Sequence, residues 1–267
     1  MLQTHSSIIP PDLLLRAYRA GIFPMADSRD DPEIYWVEPR LRAILPLDGF
    51  HCSHSLARTL RRGRFVVTCN AAFDAVIDSC AAPRAGAQDS WISQRIRDSY
   101  RTLHAMGHAH SIETWAVDAQ GERALVGGLY GVGFARVFCG ESMFSRQSDA
   151  SKVALAWLVA ALRRAGAMLL DCQFSTPHLA SLGAIEIPQA EYLALLDEAG
   201  RYSVVESPGV PPSSTTGASS AGAVSSGSAA GAAGLPAGFA ALLAAAAEAG
   251  LSSSPGNFIA QSLTQTS

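Results

Sequence analysis

The chain has 267 residues, of which 48% are apolar, so it is long enough to form one large or two small domains with a hydrophobic core. Its 20 basic and 23 acidic side chains give a net charge of −3, which excludes a generic polyanion binder. The basic residues are 19 arginines and one lysine, Lys152, so the positions of the planar guanidinium groups are more informative than the net charge.

Hydrophobic periodicity, capping residues and glycines that end helices predict alternating helices and strands along most of the chain. The predicted helices cover residues 13–20, 53–62, 72–80, 92–106, 150–165, 178–182 and 190–199. The predicted strands cover residues 34–36, 43–45, 65–69, 111–117, 124–132, 136–139 and 168–173. A mixed central sheet of about six strands with helices around it indicates an α/β (α+β) domain over residues 42–205, preceded by a small N-terminal domain over residues 1–41.

The composition changes near Glu206. Serine, alanine and glycine dominate residues 211–235, and such a segment buries too little apolar surface to offset its loss of conformational entropy. We therefore expect a low-complexity tail over residues 206–267 that is largely disordered. Residues 237–249 nevertheless suit a short helix, and the last residues have enough apolar side chains to dock on the body.

Neither a membrane nor a metal is expected as a partner. The first ten residues have no basic segment and no apolar run, which predicts a cytoplasmic protein without a signal peptide. Residues 235–251 are the most apolar stretch, but they are largely alanine and contain Glu248, so they do not suit a membrane span. The sequence contains two close pairs of histidines, His51 with His54 and His108 with His110. Neither pair is accompanied by a second group of ligands at the spacing of a metal site.

Acidic residues stand at the ends of two predicted apolar strands. Asp171 and Gln173 share one face, where an acid beside an amide can orient an amine nucleophile or hold a carbonyl, while Cys172 faces the other way as a core thiol. The alternative is that Asp171 only caps the following turn. Glu141 suits an ammonium or a ribose hydroxyl, and its alternative is a structural strand-to-loop turn over Gly140 to Ser145.

Arginine clusters and aromatic residues with polar neighbours in the sequence are the candidates for binding a nucleic acid. Clusters of this kind suit a phosphate backbone, and the alternative is a solvated face favoured by the helix dipole. The aromatic residues Trp36, Trp91 and Tyr100 suit stacking on a base or a substrate ring, with core packing as the alternative. The arginines are Arg58, Arg61, Arg62 and Arg64, with Arg40 and Arg42 upstream, and a second group of Arg95, Arg97 and Arg101.

No nucleotide cofactor is predicted. The sequence has neither a P-loop nor a dinucleotide-binding fingerprint. A loop that binds the pyrophosphate of acetyl-CoA should be rich in glycine before a helix, because it exposes backbone N–H groups. The segment at that place, residues 146–152, has no glycine.

Several ordered stretches together closely resemble the leucyl/phenylalanyl-tRNA–protein transferase family, over about residues 10–200. The resemblance implies a small N-terminal domain, a GNAT-like acyltransferase domain and an aminoacyltransferase (leucyltransferase) that needs no cofactor. The implied reaction moves Leu or Phe, and less well Met, from aminoacyl-tRNA to the α-amino group of proteins that begin with Arg or Lys, marking them for N-degron proteolysis. The stretches are residues 19–25, 36–40, 107–111, 126–132, 138–145, 149–152 and 180–184.

The same resemblance implies roles for individual residues. Gln173, oriented by Asp171, would help to remove a proton from the attacking amine, although proton transfer through the tRNA's own 2′-hydroxyl fits the sequence equally well. Trp36 and Trp91 would flank the terminal adenosine, and Glu141 would contact the adenosine or the aminoacyl amine. The remaining implied substrate contacts are an apolar pocket of Leu129, Phe138, Met143, Leu158 and Leu170, with Tyr100 and Thr176 near the acceptor.

The arginines Arg58, Arg61, Arg62 and Arg64 would hold the tRNA backbone, so the tRNA would be recognised by shape more than by sequence. The expected partners of this monomer are Leu-tRNA, Phe-tRNA and acceptor proteins. Two other functions remain open at this point. An acetyl-CoA-dependent acyltransferase of the same fold would be revealed by CoA binding, and a non-catalytic tRNA-binding module by tight tRNA binding without turnover.

Overall fold

The computed structural model describes residues 8–83, 89–201 and 234–264. The chain begins with a small unit of one helix, α1 (Pro11–Arg19), and two short antiparallel strands, β1 (Phe23–Met25) and β2 (Tyr35–Val37). Proline suits the first position of α1, since its fixed φ is already helical and its missing N–H is not needed there. The helix buries one apolar face, on which Tyr18 is 1% exposed.

Seven strands form the central sheet, in the spatial order β4-β5-β6-β7-β8-β3-β9 once numbered along the chain. All neighbouring strands are antiparallel except β7 and β8, which run parallel. This confirms the predicted α/β fold class with a mixed central sheet and a small N-terminal unit. The strands are β3 (Leu41–Ile44), β4 (Val66–Cys69), β5 (Ala109–Val117), β6 (Arg123–Phe134), β7 (Val137–Ser145), β8 (Leu169–Gln173) and β9 (Ile185–Pro188).

Helices cover both faces of the sheet. On one face α5, which is buried along almost its whole length, packs against β5, β6 and β7. On the other face α3, α4 and the N-terminal α1 enclose a second apolar core. The helices within this body are α2 (His54–Arg61), α3 (Phe73–Ala81), α4 (Gln94–Ala105), α5 (Ala150–Arg164), α6 (Pro177–Ala180) and α7 (Gln189–Arg201).

Two strand predictions need correction. The predicted strand 136–139 continues as β7 to Ser145, so the interpretation of residues 140–145 as a strand-to-loop turn is wrong; they pair with β6. The edge strand β9 was not predicted, because three of its four residues are exposed and it ends in a proline. It pairs with β3, which starts at Leu41, next to the domain boundary predicted at residues 41 and 42.

Part of the low-complexity tail is ordered. Two helices, α8 (Leu235–Glu248) and α9 (Pro255–Thr264), pack on α5 and α2. The short helix predicted over residues 237–249 is confirmed by α8, and the docking expected of the last residues is confirmed by α9. The prediction of a largely disordered tail is wrong for residues 234–264, while residues 202–233 lie outside the described part of the chain. Glycine makes this packing close: a Cβ at Gly238 would lie 2.3 Å from the carbonyl oxygen of Ala161, and one at Gly256 equally near that of Leu60. Among the described residues, no helix has the length and apolarity to span a membrane.

Candidate active site

A cavity of about 370 Å³ opens where β7 and β8 stop pairing. Their parallel register ends at Cys139 and Asp171; beyond it β7 continues beside β6, and β8 ends at Gln173. The cavity therefore has strand-end polar groups on one side and apolar side chains on the other. Its lining residues are Leu129, Tyr130, Gly140, Glu141, Ser142, Met143, Leu158, Cys172, Gln173, Thr176, His178 and Leu179.

Asp171 lies beside the cavity and is fully buried. Arg42 Nε donates to its Oδ1 at 2.8 Å, and Arg42 Nη2 donates to its Oδ2 at 2.6 Å. Oδ1 also accepts the backbone N–H of Gln173 at 2.9 Å, and Oδ2 accepts the hydroxyl of Tyr192 at 3.2 Å. A carboxylate has about four acceptor positions, so these four hydrogen bonds use its whole capacity. Asp171 is thus a fixed anion with no acceptor left to take a proton from a substrate.

Gln173 stands at the end of β8 with its backbone in the left-handed region, at φ +58°. This conformation is uncommon outside glycine and is held when the surroundings supply the hydrogen bonds. Its side-chain Nε2 donates to Glu141 Oε1 at 2.9 Å. That bond sets the orientation of the amide and leaves Gln173 Oε1 with no donor among the described residues. The oxygen can therefore accept an N–H from a molecule in the cavity.

Glu141 is the second carboxylate at the polar side, and it is 9% exposed. Tyr18 Oη lies 2.8 Å from its Oε1 and Tyr100 Oη lies 3.2 Å from its Oε2, each in position to donate, and the two hydroxyls are also in contact with each other. Because each hydroxyl has one proton, the two can make only two of these three hydrogen bonds at a time while Glu141 is ionised. None of its hydrogen-bond donors is a cation. Burial therefore raises the pKa of Glu141 to about 8, against the lowering effect of the tyrosine hydroxyls and of the more distant Arg42.

The apolar wall only partly matches the prediction. Leu129, Met143 and Leu158 line the cavity, as predicted. Phe138 and Leu170 do not: they face each other across the paired part of β7 and β8 and are 0% and 1% exposed in the core. The cavity begins only after the two strands separate, so residues in the paired stretch are covered by neighbouring core side chains.

Cys172 was predicted to be a core thiol, and the structure places it on the cavity wall instead. Asp171 is the last residue of β8 that pairs with β7, so no residue of β7 lies opposite Cys172. Burial, together with the negative charge of Asp171, raises the pKa of its thiol, so it is a weak nucleophile at neutral pH. This arrangement does not support covalent catalysis through Cys172.

Comparison with known proteins gives the chain a family. The sequence model described as leucyl/phenylalanyl-tRNA protein transferase matches residues 44–197, and the model of that family's N-terminal domain matches residues 8–40. A leucyl/phenylalanyl-tRNA–protein transferase of Novosphingobium aromaticivorans is 68% identical over 265 residues, which are 97% of each chain. Relatives with the same name from Rhizorhabdus wittichii and Rhodopseudomonas palustris (strain TIE-1) are 59% and 56% identical, over 72% of this chain and 75% and 84% of theirs.

The chain belongs to the leucyl/phenylalanyl-tRNA–protein transferase family. It is therefore an aminoacyltransferase. The family models end at residue 197, so α8 and α9 lie outside them. The Novosphingobium relative aligns over nearly the whole chain, whereas the alignments with the other two relatives cover about 190 residues.

The family resemblance assigned four further residues to substrates, and only one of them lines the cavity. Thr176 lines the cavity and caps α6 by accepting the backbone N–H of Leu179. Tyr100 is fully buried behind Glu141 rather than on the cavity surface. Trp36 is 39% exposed on β2 and Trp91 is half-buried beside β1, so both border the N-terminal unit and neither lines the cavity.

The two arginine clusters have opposite surroundings. Arg58, Arg61, Arg62 and Arg64 are exposed, and none forms an ion pair within the described residues. In the second cluster, by contrast, two members are paired with carboxylates of α3 and α4. Arg101 bonds Asp74, Asp78 and Asp98, and Arg97 bonds Asp78, while Arg95 donates to the carbonyl of Pro32. Among the described residues, only the first cluster consists entirely of arginines without a carboxylate partner.

Sequence reasoning missed three residues that hydrogen-bond the two carboxylates, and one of them is Tyr192 of α7, which bonds Asp171. Tyr18 comes from α1, and Arg42, which was grouped with a phosphate-binding cluster, is instead 1% exposed inside the body. An arginine between the apolar residues of β3 is a signal that could have been noticed, because a buried arginine requires a carboxylate partner. No local pattern indicates which tyrosine of the chain would reach Glu141.

Proposed function

We infer that this transferase moves Leu or Phe, and less well Met, from aminoacyl-tRNA to the N-terminal α-amino group of proteins that begin with Arg or Lys. The product would carry an N-terminus that marks it for proteolysis. We place the reaction in the cytoplasm, with the enzyme acting as a monomer and without a cofactor. The observation that carries this proposal is the cavity at the end of β8, which combines an apolar wall with the buried carboxyl group of Glu141 and the free amide oxygen of Gln173. The carboxylate of Asp171 lies behind this lining and holds the backbone of Gln173.

The apolar wall supports selection of an apolar aminoacyl group. Leu129, Met143 and Leu158 offer hydrocarbon contacts, and a cavity of about 370 Å³ is within the usual range for small-ligand pockets. A charged side chain would lose its hydration there without gaining a partner among these residues. The apolar side chain of Leu, Phe or Met loses no hydration of that kind, and its burial is favourable.

The chemistry is aminolysis of an ester. The acceptor nitrogen attacks the ester carbonyl, the new C–N bond forms, the C–O bond to the terminal ribose breaks, and the amine proton ends on the ribose oxygen. An α-amino group has an ordinary pKa of about 7.7–8.0, so part of it is already neutral at neutral pH and no strong base is needed. The free Gln173 Oε1 supports a role in orienting an amine N–H, and positioning of this kind can supply much of the rate.

The saturated hydrogen bonding of Asp171 speaks against its acting as a base, which favours proton transfer within the substrates. In this scheme the 2′-hydroxyl of the tRNA's own terminal ribose carries the proton from the amine to the leaving 3′-oxygen. Asp171 and Gln173 hold the reacting groups in place. The catalytic contact is then made by Gln173, and Asp171 is a positioning residue.

Transfer of labelled Leu tests the proposal directly. Leu-tRNA is incubated with the enzyme and four peptides that differ only in residue one, which is Arg, Lys, Asp or Ala. Labelling of the Arg and Lys peptides alone is expected. Labelling of the Asp peptide would overturn the acceptor assignment, and no labelling with tight tRNA binding would indicate a binding module. Acetylation of the peptides from acetyl-CoA would replace the donor assignment.

Exposed arginines at the end of α2 support the binding of the tRNA backbone. The double variant Arg61→Gln/Arg62→Gln is expected to weaken tRNA binding and to reduce the slope of log K against log salt by about 1.4–1.8, since each lost phosphate contact changes it by about 0.7–0.9. The matched control is Arg97→Gln/Arg101→Gln on α4, whose charges are already balanced. An unchanged slope in the first variant, or an equal change in both, would remove α2 from the RNA interface.

A further inference from the structure

Arg42 is buried in the centre of the protein, and all three nitrogen atoms of its guanidinium group donate hydrogen bonds. It lies on β3, is 1% exposed, and holds both oxygens of Asp171 through Nε and Nη2. Its third nitrogen, Nη1, donates to the carbonyl of Gly21 at 2.8 Å. The guanidinium carbon lies 4.8 Å from the ring centre of Phe23 and 4.5 Å from that of Tyr192. These hydrogen bonds and ring contacts together fix the position and orientation of the guanidinium group.

Stability alone does not explain this ion pair. Taking two charges out of water costs several kcal/mol, roughly as much as their attraction returns, and apolar replacements of such pairs are often neutral or stabilising. The pair has a specific geometry, because the planar fork of arginine matches both carboxylate oxygens at once. A lysine at this position would offer a single point of charge and could not hold Asp171 in the same way.

The contacts continue from Arg42 to the cavity. Asp171 Oδ1 accepts the backbone N–H of Gln173, whose φ of +58° requires support. The same residue then presents its side chain to Glu141 and to the cavity. Displacing the Asp171 carboxylate would thus release a side-chain hydrogen bond that holds the backbone N–H of Gln173, at the residue that ends the pairing of β8 with β3.

We propose that Arg42 is a positioning residue for aminoacyl transfer: it fixes Asp171, and through Asp171 it sets the backbone conformation of Gln173 and the direction of its amide. The proposal rests on the proposed function for its effect on rate. Its effect on Gln173 does not depend on that function. Arg42 also bonds Gly21, so the seating of the N-terminal unit and the geometry of the cavity depend on the same side chain.

A double-mutant cycle tests the effect on rate. Arg42→Lys keeps the charge and is expected to lower kcat about 10–100-fold with KM for Leu-tRNA and peptide unchanged, because small displacements of reacting groups have effects of this size. In an Asp171→Asn background the same substitution should change kcat less than about twofold, since the effect of Arg42 on Gln173 passes through Asp171 and the introduced lysine can still donate to the carbonyl of Gly21. Additive losses in the cycle, or a loss of kcat that only follows the folded fraction, would overturn the proposal.

A second measurement needs no activity. Hydrogen exchange of the Gln173 amide should be accelerated at least about tenfold in Arg42→Lys, because that amide loses its fixed acceptor. The Asn70 amide, which donates to the carbonyl of Ser111 beside the β4–β5 pair, serves as the internal reference and should not change. The control variant is Arg163→Lys, which breaks bonds to the carbonyl of Leu47 away from the cavity. Unchanged exchange at Gln173, or equal changes in both variants, would contradict the proposal even if transfer to Arg peptides were never observed.

Discussion

The two carboxylates at the polar side of the cavity have opposite environments although both bond the same glutamine. Asp171 accepts from the guanidinium of Arg42 and binds the backbone N–H of Gln173. Glu141 accepts from two tyrosine hydroxyls and binds the side-chain amide of Gln173, and no cation donates to it. The two carboxylates therefore differ in the charge of their partners. Asp171 is paired with a guanidinium, whereas burial without a cationic donor raises the pKa of Glu141 to about 8.

This difference assigns the two groups different tasks in the proposed reaction. A carboxylate with all acceptor positions in use can only hold its neighbours, so its removal should affect geometry. A carboxyl group whose pKa lies at about 8 can accept or donate a hydrogen bond according to pH, so its removal should affect pH dependence. Variants of the two groups and their partners can test this division.

The largest effect is expected from Asp171→Ala. Its removal frees Gln173 and leaves Arg42 buried without a counter-charge, which typically costs about 3–5 kcal/mol of stability. Transfer of Leu should fall by about a hundredfold or more while binding of Leu-tRNA is retained. The rate and the tRNA affinity should be measured well below the unfolding midpoint of the variant.

Asp48→Ala is the control for Asp171→Ala, because Asp48 is an exposed ion-pair partner of Arg163 and lies outside the cavity lining. It should leave both the rate and the affinity unchanged. Transfer at the wild-type rate in Asp171→Ala would exclude Asp171 from the mechanism. A parallel loss of tRNA binding would mean that the residue supports the RNA interface and not the reacting groups.

A smaller effect, on stability, is expected from Glu141→Gln. Burial raises the pKa of Glu141 from 4.5 to about 8, so between these values the folded protein holds a proton that the unfolded chain releases. Folding stability therefore falls as the pH rises through this range, and the full cost is present above pH 8. The variant should melt about 2–6 °C above the wild type at pH 9, and the difference should vanish near pH 5.

Calorimetry between pH 5 and pH 9 measures this difference, with Glu122→Gln at an exposed turn as the control. A difference that is constant across the range would mean that Glu141 stays charged in the folded protein. In that case the contrast with Asp171 would be one of geometry alone.

Sequence patterns revealed the strand-end residues but not the groups that give each one its character. Asp171 and Gln173 stand at the end of an apolar strand, and this change from apolar to polar residues is visible in the local sequence. Arg42 reaches Asp171 from 129 residues away, and Tyr18 reaches Glu141 from 123 residues away; no local pattern indicates such contacts. The different hydrogen-bond partners of the two carboxylates could therefore not be predicted from the sequence.

The same limit applies to the arginines and to the apolar wall. Both arginine clusters resemble a phosphate-binding surface in sequence, and they differ only because α3 brings Asp74 and Asp78 against α4. Phe138 and Met143 are similar apolar residues of one strand. Only the point at which β7 leaves β8 decides that the first is core and the second lines the cavity.

The smallest predicted effect separates the two tyrosines that bond Glu141. Tyr18→Phe removes the donor at 2.8 Å, whereas Tyr100→Phe removes the one at 3.2 Å. Each donor favours the charged carboxylate, so its loss should raise the pKa of Glu141 further, more strongly for Tyr18, and lower stability at pH 9 by about 1 kcal/mol. The pH at which stability stops falling should move upward in both variants. If Tyr100→Phe moved it further, the shorter bond would not be the stronger one, and Glu141 would depend mainly on α4 rather than on the N-terminal unit.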